Sequence, residues 1–376
     1  MADHVVFLVH GIGGHSYQGL ERPPRHAWAE PVIAAFDATW KTLPRLGARE
    51  RAAHVELVPI TYDHVFHDYL TRLATYARGL QPALREALGS DTVDDVLEAI
   101  GDASAEDAGF LWDTLTDLLL YRLGDGFERQ VQEAIEEQIV RKVRAVLDGA
   151  GGGPPPTFSL VSHSLGTAAA HGALHRLARG TVGGSDAFSL AGGAFHLHAY
   201  VALANVSRLL WTSREDLVGT TLVRPRDQGR GYVDTFLNVA HVADPVPRPR
   251  PFAPSDWGGG YRAIALDHVH QPNVHAFEHY FGHPRVVCAL VRALYGDRGC
   301  TEAEQAAVVR AVEPIVAPTQ AARMQIVRAR DALARRFDEA FHGDAGLLAA
   351  TAGALAALIV QLVRARRALM LAGEPV

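Results

Sequence analysis

The strongest constraint on the fold comes from short apolar runs that alternate with helical patterns along most of the chain. The first run, HVVFLVHG at 4–11, is apolar at successive positions, as in strands that are buried on both faces. A helical pattern at 26–41 follows, and a second apolar run, HVELVPITY, lies at 54–62. Strands separated by helices are typical of parallel βαβ units, so we predict a parallel sheet.

Four further apolar runs complete the predicted sheet. They are TFSLVSH (157–163), LHAYVALANV (197–206), YVDTFLNVAHV (232–242) and YRAIALDHV (261–269). A helix is predicted from Leu165 to Arg179, and another begins near His275. The expected fold class is α/β, with a mostly parallel sheet of about six strands flanked by helices.

A long stretch at 64–148 interrupts this alternation, and we predict a helical cap or insertion there. In its segment GFLWDTLTDLLLYRLG, at 109–124, apolar residues cover more than one face of a helix. Such a helix packs within a core or forms a lid over an apolar site, and both interpretations stay open. We therefore expect one α/β domain at 1–300, containing the insertion, and a helical C-terminal extension at 301–376.

Charge and cysteine content narrow the class of protein. The net charge of −6 argues against a nucleic-acid binder steered by basic surface. The two cysteines, Cys288 and Cys300, form neither a disulfide framework nor a C-x-x-C pair, and the N-terminus shows no secretory signal. These features favour a cytoplasmic protein. The apolar segment at 347–363 predicts a packed C-terminal helix, with peripheral or integral membrane attachment as the alternative.

The first candidate for chemistry is a serine between a predicted strand and a predicted helix. Ser164 lies in VSHSLG, close to the G-x-S-x-G pattern in which a serine is presented on a sharp strand-to-helix turn. Gly166 keeps the second glycine, whereas Ser162 stands in the place of the first. Because strand and helix cross closely there and Ser162 is small, we expect this exchange to be tolerated. The alternative is that Ser164 is an ordinary turn residue.

A serine nucleophile also needs donors that stabilise an oxyanion. Directly after the first predicted strand, HGIGG brings glycines that let backbone approach a substrate closely. The N–H groups of Ile12 and Leu165 are the predicted oxyanion donors, and the supporting residues are His10, Gly11, Gly13 and Gly166. The turn lacks the third spaced glycine of G-x-G-x-x-G, and no P-loop lysine follows, which argues against a nucleotide site.

The remaining requirements are a general base and an acid that orients it. Asp244 lies just beyond a predicted strand, where sites form in open α/β sheets, although a plain turn role is the alternative. His275 lies in the loop after the last predicted strand, and His279, one turn into the next helix, is the second choice for the base. The two histidines could share a metal on one helix face, but there is no H-E-x-x-H and no cysteine nearby, so neither metal nor cofactor is expected.

The order Ser164, Asp244, His275 along the chain resembles that of the α/β-hydrolase superfamily, in particular its lipase and esterase branch. The resemblance covers 4–295, interrupted by 64–148, and is carried by HGIGGH, VSHSLG, ADPVP and VHAFEHYF. It implies that Ser164 attacks an acyl carbon, that His275 acts as general base and then acid, and that Asp244 orients His275. The implied reaction is hydrolysis of a small-molecule or lipid-like carboxylic ester.

Two other kinds of function stay open. Acyl transfer, thioester cleavage and amide cleavage share the chemistry up to the acyl-enzyme, so the same three residues would serve them. A protein with this scaffold can also bind a ligand or a partner without catalysis, because a fold does not dictate a function. The presence of both Asp244 and His275 favours an enzyme, since a binding module has no obvious use for them.

Overall fold

The computed structural model describes part of the chain in detail. The described residues are 2–11, 27–66, 121, 126–149, 154–180, 196–211, 217–226, 231–242, 244, 246–247, 251–267 and 275–312. Most of the apolar helix predicted at 109–124, and all of the segment at 347–363, lie outside these ranges. Among the helices that are described, none has both the length and the apolar character needed to cross a membrane.

The described residues form an open sheet of six parallel strands, which confirms the predicted fold class. In chain order the strands are β1 (His4–Val9), β2 (Val55–Ile60), β3 (Thr157–His163), β4 (Leu197–Leu203), β5 (Val233–His241) and β6 (Tyr261–Leu266). Their order across the sheet is β2-β1-β3-β4-β5-β6, and every neighbouring pair is parallel. Most of the predicted runs extend past the carboxyl ends of these strands. The loops that follow the strands also contain apolar residues, such as Tyr62, Ala204 and Val242, and the sequence pattern does not separate these from the strand itself.

Helices connect the strands and lie on both faces of the sheet. They are α1 (Ala29–Trp40), α2 (Phe127–Asp148), α3 (Leu165–Arg179), α4 (Ser207–Leu210), α5 (Leu217–Thr220), α6 (Phe277–Phe281), α7 (Pro284–Tyr295) and α8 (Glu302–Val312), with 3₁₀ turns at Arg51–Ala53 and Gly296–Arg298. The helix predicted near His275 begins at Phe277 and is followed by a separate helix. Pro284 starts that helix, as proline does at a first helical position.

Two apolar cores cover the sheet, and β1 contributes to both. Val5, Phe7 and Val9 point into the core that contains α2 and α3. Val6 and Leu8 point to the opposite side, into the core formed with α1 and α7. Because successive strand residues face opposite sides, a strand covered on both faces must be apolar throughout. This double burial is the physical reason for the continuous apolar run at the start of the chain.

The strand order creates one place where a crevice forms. The chain leaves β1 toward β2 on one side of the sheet, and it leaves β3 toward β4 on the other side. In open α/β sheets, ligands bind outside the carboxyl ends of strands at such a reversal. Gly11 follows β1 and Ser164 follows β3, so the predicted oxyanion turn and the predicted nucleophile both border this crevice.

Candidate active site

Ser164 lies on a sharp turn between β3 and α3. Its backbone has a φ of 52° and a ψ of −128°, a conformation that residues with a side chain rarely adopt. The N–H of Ser164 donates to the Leu203 carbonyl of β4 at 3.0 Å. Its carbonyl accepts from the Thr167 N–H at 2.8 Å and from the Thr167 hydroxyl at 2.7 Å. A neighbouring strand and the following helix therefore hold the turn in its strained form.

Two glycines allow three backbone segments to meet at this turn. A Cβ added at Gly166 would lie 2.3 Å from the carbonyl oxygen of His10. A Cβ added at Gly11 would lie 2.6 Å from the Cβ of Ser164. Neither position accepts a side chain without a backbone shift. This steric limit is the physical reason why both motifs have glycine at these positions. Ile12 and Gly13, the other members of the predicted oxyanion turn, lie outside the described residues.

The missing glycine of the motif is replaced by a buried serine that has its own partner. Ser162 is fully buried, and its hydroxyl donates to the Tyr200 hydroxyl of β4 at 3.0 Å. Tyr200 in turn donates to the Thr167 carbonyl at 3.2 Å. Because a buried hydroxyl is costly only when it lacks a partner, the position accepts serine.

Ser164, His275 and Asp244 form an unbroken chain of hydrogen bonds. His275 Nε2 lies 2.8 Å from Ser164 Oγ, and His275 Nδ1 lies 2.7 Å from Asp244 Oδ2. All three are buried, with exposed fractions of 1%, 4% and 0% for Ser164, His275 and Asp244. An ionised carboxylate only accepts hydrogen bonds, so Nδ1 carries a proton and Nε2 is left to accept from the serine hydroxyl.

Asp244 is stabilised as a carboxylate despite its complete burial. Burial by itself raises the pKa of Asp244, but the neighbouring His275 and three donors outweigh it, and the pKa lies below its ordinary value. Besides His275, the donors are the Tyr280 hydroxyl at 2.7 Å from Oδ2 and the Val246 N–H at 2.9 Å from Oδ1. Sequence reasoning missed the role of Tyr280, although that tyrosine stands in the quoted segment VHAFEHYF.

Of the two histidines considered as the base, His275 is the one that faces Ser164. The second choice, His279, lies within α6, where its ring packs edge-on against His241 with centroids 5.3 Å apart. Ala276 is the N-cap of α6 and has an extended backbone. The helix therefore starts after it, at Phe277, and His275 belongs to the preceding loop. Within the described ranges, no three His, Cys, Asp or Glu side chains are grouped to hold a metal ion.

A second histidine supports the ring of His275 from the side. The His163 ring, at the end of β3, lies 4.9 Å from the His275 ring and stacks on Phe277 at 5.0 Å. Burial, together with the proximity of His275, lowers the pKa of His163 well below its ordinary value. The lowered pKa keeps His163 neutral near neutral pH, so its ring places no positive charge beside His275.

The turn after β1 is anchored from the neighbouring strand β2. His10 Nδ1 lies 2.5 Å from the Gly11 carbonyl, and His10 Nε2 lies 2.9 Å from Asp63 Oδ1. The Tyr62 hydroxyl donates to the His10 carbonyl at 2.5 Å, and the two rings stack at 5.1 Å. Sequence reasoning missed Tyr62 and Asp63. Both follow the end of a strand, so the edge argument that pointed to Asp244 would have found them.

Leu165, the second predicted oxyanion donor, is the first residue of α3. The N–H groups in the first turn of a helix have no acceptor within that helix. The N-terminus also carries the positive end of the helix dipole, which favours a developing negative charge. Leu165 is thus suited to bind an oxyanion next to Ser164.

Comparison with protein-family models gives no match for this chain, and a comparison with curated proteins gives none either.

Proposed function

We propose that the protein is a serine hydrolase of the α/β-hydrolase type that cleaves carboxylic esters through an acyl-enzyme on Ser164. The observation that carries the proposal is the hydrogen-bonded chain Ser164–His275–Asp244, with contacts of 2.8 Å and 2.7 Å. A serine nucleophile requires a base that takes its proton and a third group that orients this base. A buried serine with a purely structural role requires neither.

Each residue of the chain has one part in the proposed reaction. His275 Nε2 takes the proton of Ser164 Oγ as the oxygen attacks the ester carbonyl carbon, and it then gives that proton to the leaving alkoxide. Asp244 stabilises the imidazolium that forms between these steps. The Leu165 N–H and the predicted donor Ile12 stabilise the oxyanion. Water, activated by the same His275, hydrolyses the acyl-enzyme.

The surrounding architecture supports the same proposal. The site lies at the switch point of a parallel sheet, and the order Ser164, Asp244, His275 along the chain is that of α/β-hydrolases. The strained φ of 52° at Ser164 is the conformation expected of a nucleophile presented on a strand-to-helix turn. In this proposal the residues of 64–148 that precede α2 form a helical cap over a lipid-like substrate, and 301–376 is a helical extension. The predicted cap does not include α2 (Phe127–Asp148), because that helix packs in the core on one face of the sheet.

The test is ester turnover and active-site labelling with a matched pair of serine variants. A chain-length series of nitrophenyl esters is assayed with the wild type, with Ser164→Ala, and with Ser162→Ala as the control. Ser162 is a buried serine of β3, two residues before Ser164, and its hydroxyl contacts Tyr200 rather than His275 Nε2. We expect turnover and fluorophosphonate labelling to be lost only in Ser164→Ala. Unchanged turnover in Ser164→Ala would contradict the proposal.

The alternatives give different outcomes in the same experiment. A folded wild type that fails to react with the fluorophosphonate supports a binding protein on a hydrolase scaffold. Labelling at Ser164 with ester products formed from an added alcohol supports acyl transfer. Chain-length dependence of the turnover identifies the acyl group for which the site is shaped.

A further inference from the structure

A cavity separate from the triad lies beside the edge strand β6. It has a volume of about 390 Å³ and is formed by β6, α7 and α8. Its charged and polar lining residues are Arg262, Arg285, Arg292, Arg310, Glu302 and Gln305. The chain as a whole has a net charge of −6, so four arginines around one carboxylate reverse the charge locally.

One arginine of this cavity, Arg292, has a guanidinium group that is only partly paired within the described part of the chain. Arg292 donates through Nε to the Cys300 carbonyl at 3.0 Å, and its Nη1 lies 3.5 Å from Glu302, whose side chain is 87% exposed. Arg292 Nη2 is buried and has no hydrogen-bond partner within the described part of the chain. A buried donor left unpaired is costly, and such donors are rare in folded proteins.

Two further arginines lack partners altogether in the described ranges. Neither Arg262 on β6 nor Arg310 on α8 makes a hydrogen bond or an ion pair with a described residue, although both line the cavity. Arg285 is positioned by the Ala265 carbonyl at 3.0 Å, and it lies 3.8 Å from Asp267. Like charges gathered around one space repel each other, and an anion in that space relieves the repulsion.

We propose that this cavity binds a small molecule that carries a phosphate monoester or a diphosphate. The planar guanidinium group matches phosphate oxygens with two parallel hydrogen bonds, and several arginines together suit a group with more than one negative charge. The volume of about 390 Å³ falls in the range of small-ligand pockets and exceeds the need of a single phosphate ion, so an organic part accompanies the phosphate. Ala306 and Val309 supply an apolar wall for that part.

The phosphate group can come from a soluble metabolite or from the headgroup of a lipid, and the same arginines recognise both. The site shares no residue with Ser164, His275 or Asp244. Its test is therefore independent of the proposed hydrolase activity.

The first arm of the test measures binding of glycerol 3-phosphate and of pyrophosphate to the full chain by calorimetry at physiological chloride concentration. The main variant is Arg262→Gln with Arg310→Gln, because these two changes remove no contact with a described residue and leave folding intact. We expect binding at least about tenfold weaker in this variant. Arg179→Gln, an exposed arginine on α3 outside the cavity, is the matched control and binds as the wild type does.

The second arm measures sedimentation with phosphatidylcholine vesicles that contain or lack phosphatidic acid. Sedimentation that requires phosphatidic acid and is lost in the double variant identifies a lipid as the source of the phosphate. Binding of the soluble probes without such sedimentation identifies a metabolite. Equal affinity of the wild type and the double variant, or no binding of any probe, overturns the proposal.

Discussion

The strained turn at Ser164 leads to a stability prediction that needs no substrate. Ser164→Gly and Ser164→Ala both remove the hydroxyl, so both lose the 2.8 Å contact with His275 equally. They differ in the backbone, because alanine keeps the side-chain carbon that disfavours a φ of 52°. Glycine adopts that conformation freely. We therefore expect Ser164→Gly to be the more stable variant.

The size of the difference follows from two opposing contributions. A residue held in a sparsely populated backbone region costs about 1–3 kcal/mol, and glycine relieves this cost at position 164. Glycine also makes the unfolded chain more flexible than alanine does, which destabilises the folded state by about 0.4–1 kcal/mol. The net gain of Ser164→Gly over Ser164→Ala is therefore about 1 kcal/mol, with an upper value of about 2.6 kcal/mol.

Urea unfolding followed by tryptophan fluorescence measures this difference directly. The control is Ala34→Gly, at an exposed position in the middle of α1, where the same change should destabilise by about 1 kcal/mol. Opposite signs at the two positions are the expected result. If Ser164→Gly proves no more stable than Ser164→Ala, the turn is not strained and the reasoning fails.

Three further predictions concern the contacts around the site. Gly11→Ala places a Cβ 2.6 Å from that of Ser164, so ester kcat/KM should fall about a hundredfold, whereas Gly219→Ala, with nothing within 4 Å, should keep the wild-type rate. Tyr280→Phe removes a 2.7 Å donor from the Asp244 carboxylate and should lower the free energy of unfolding by about 1–3 kcal/mol; urea curves that match the wild type would contradict this. Because the pKa of Asp244 is lowered on folding, its ionised form stabilises the protein above about pH 4, and this contribution is lost as the pH falls through the lowered pKa. The stability gap between wild type and Asp244→Asn should therefore be larger at about pH 7 than at about pH 3, and a constant gap would refute the linkage.

The fold was largely predictable because burial on both faces leaves a direct mark on the sequence. A strand such as β1 must be apolar at every position, and the helix Leu165–Arg179 was predicted with the bounds that it has. The ends of strands were less predictable. The run predicted at 4–11 includes His10 and Gly11, whereas β1 ends at Val9. These two residues lie in the loop that borders the crevice.

The candidate site was predictable in its chain order but less so in its contacts. His275 and His279 lie four residues apart, and only the start of α6 at Phe277 separates a loop histidine from a helical one. The partner of Ser162 is Tyr200, 38 residues away on another strand, and no local pattern marks such a pair. Contacts of this kind depend on strand order and register, which periodicity along the chain does not encode.

The wide spacing of the three residues along the chain has a consequence during synthesis. Ser164 and His275 are 111 residues apart, so at ribosomal speed about 6–22 seconds pass between the appearance of one and of the other. The turn that strains Ser164 depends on the Leu203 carbonyl of β4, which also emerges later. A nascent chain therefore carries the serine first as a relaxed, unactivated residue. If Ser164 is the nucleophile of the proposed function, its hydroxyl becomes reactive only when β6 and the loop that carries His275 have joined the sheet.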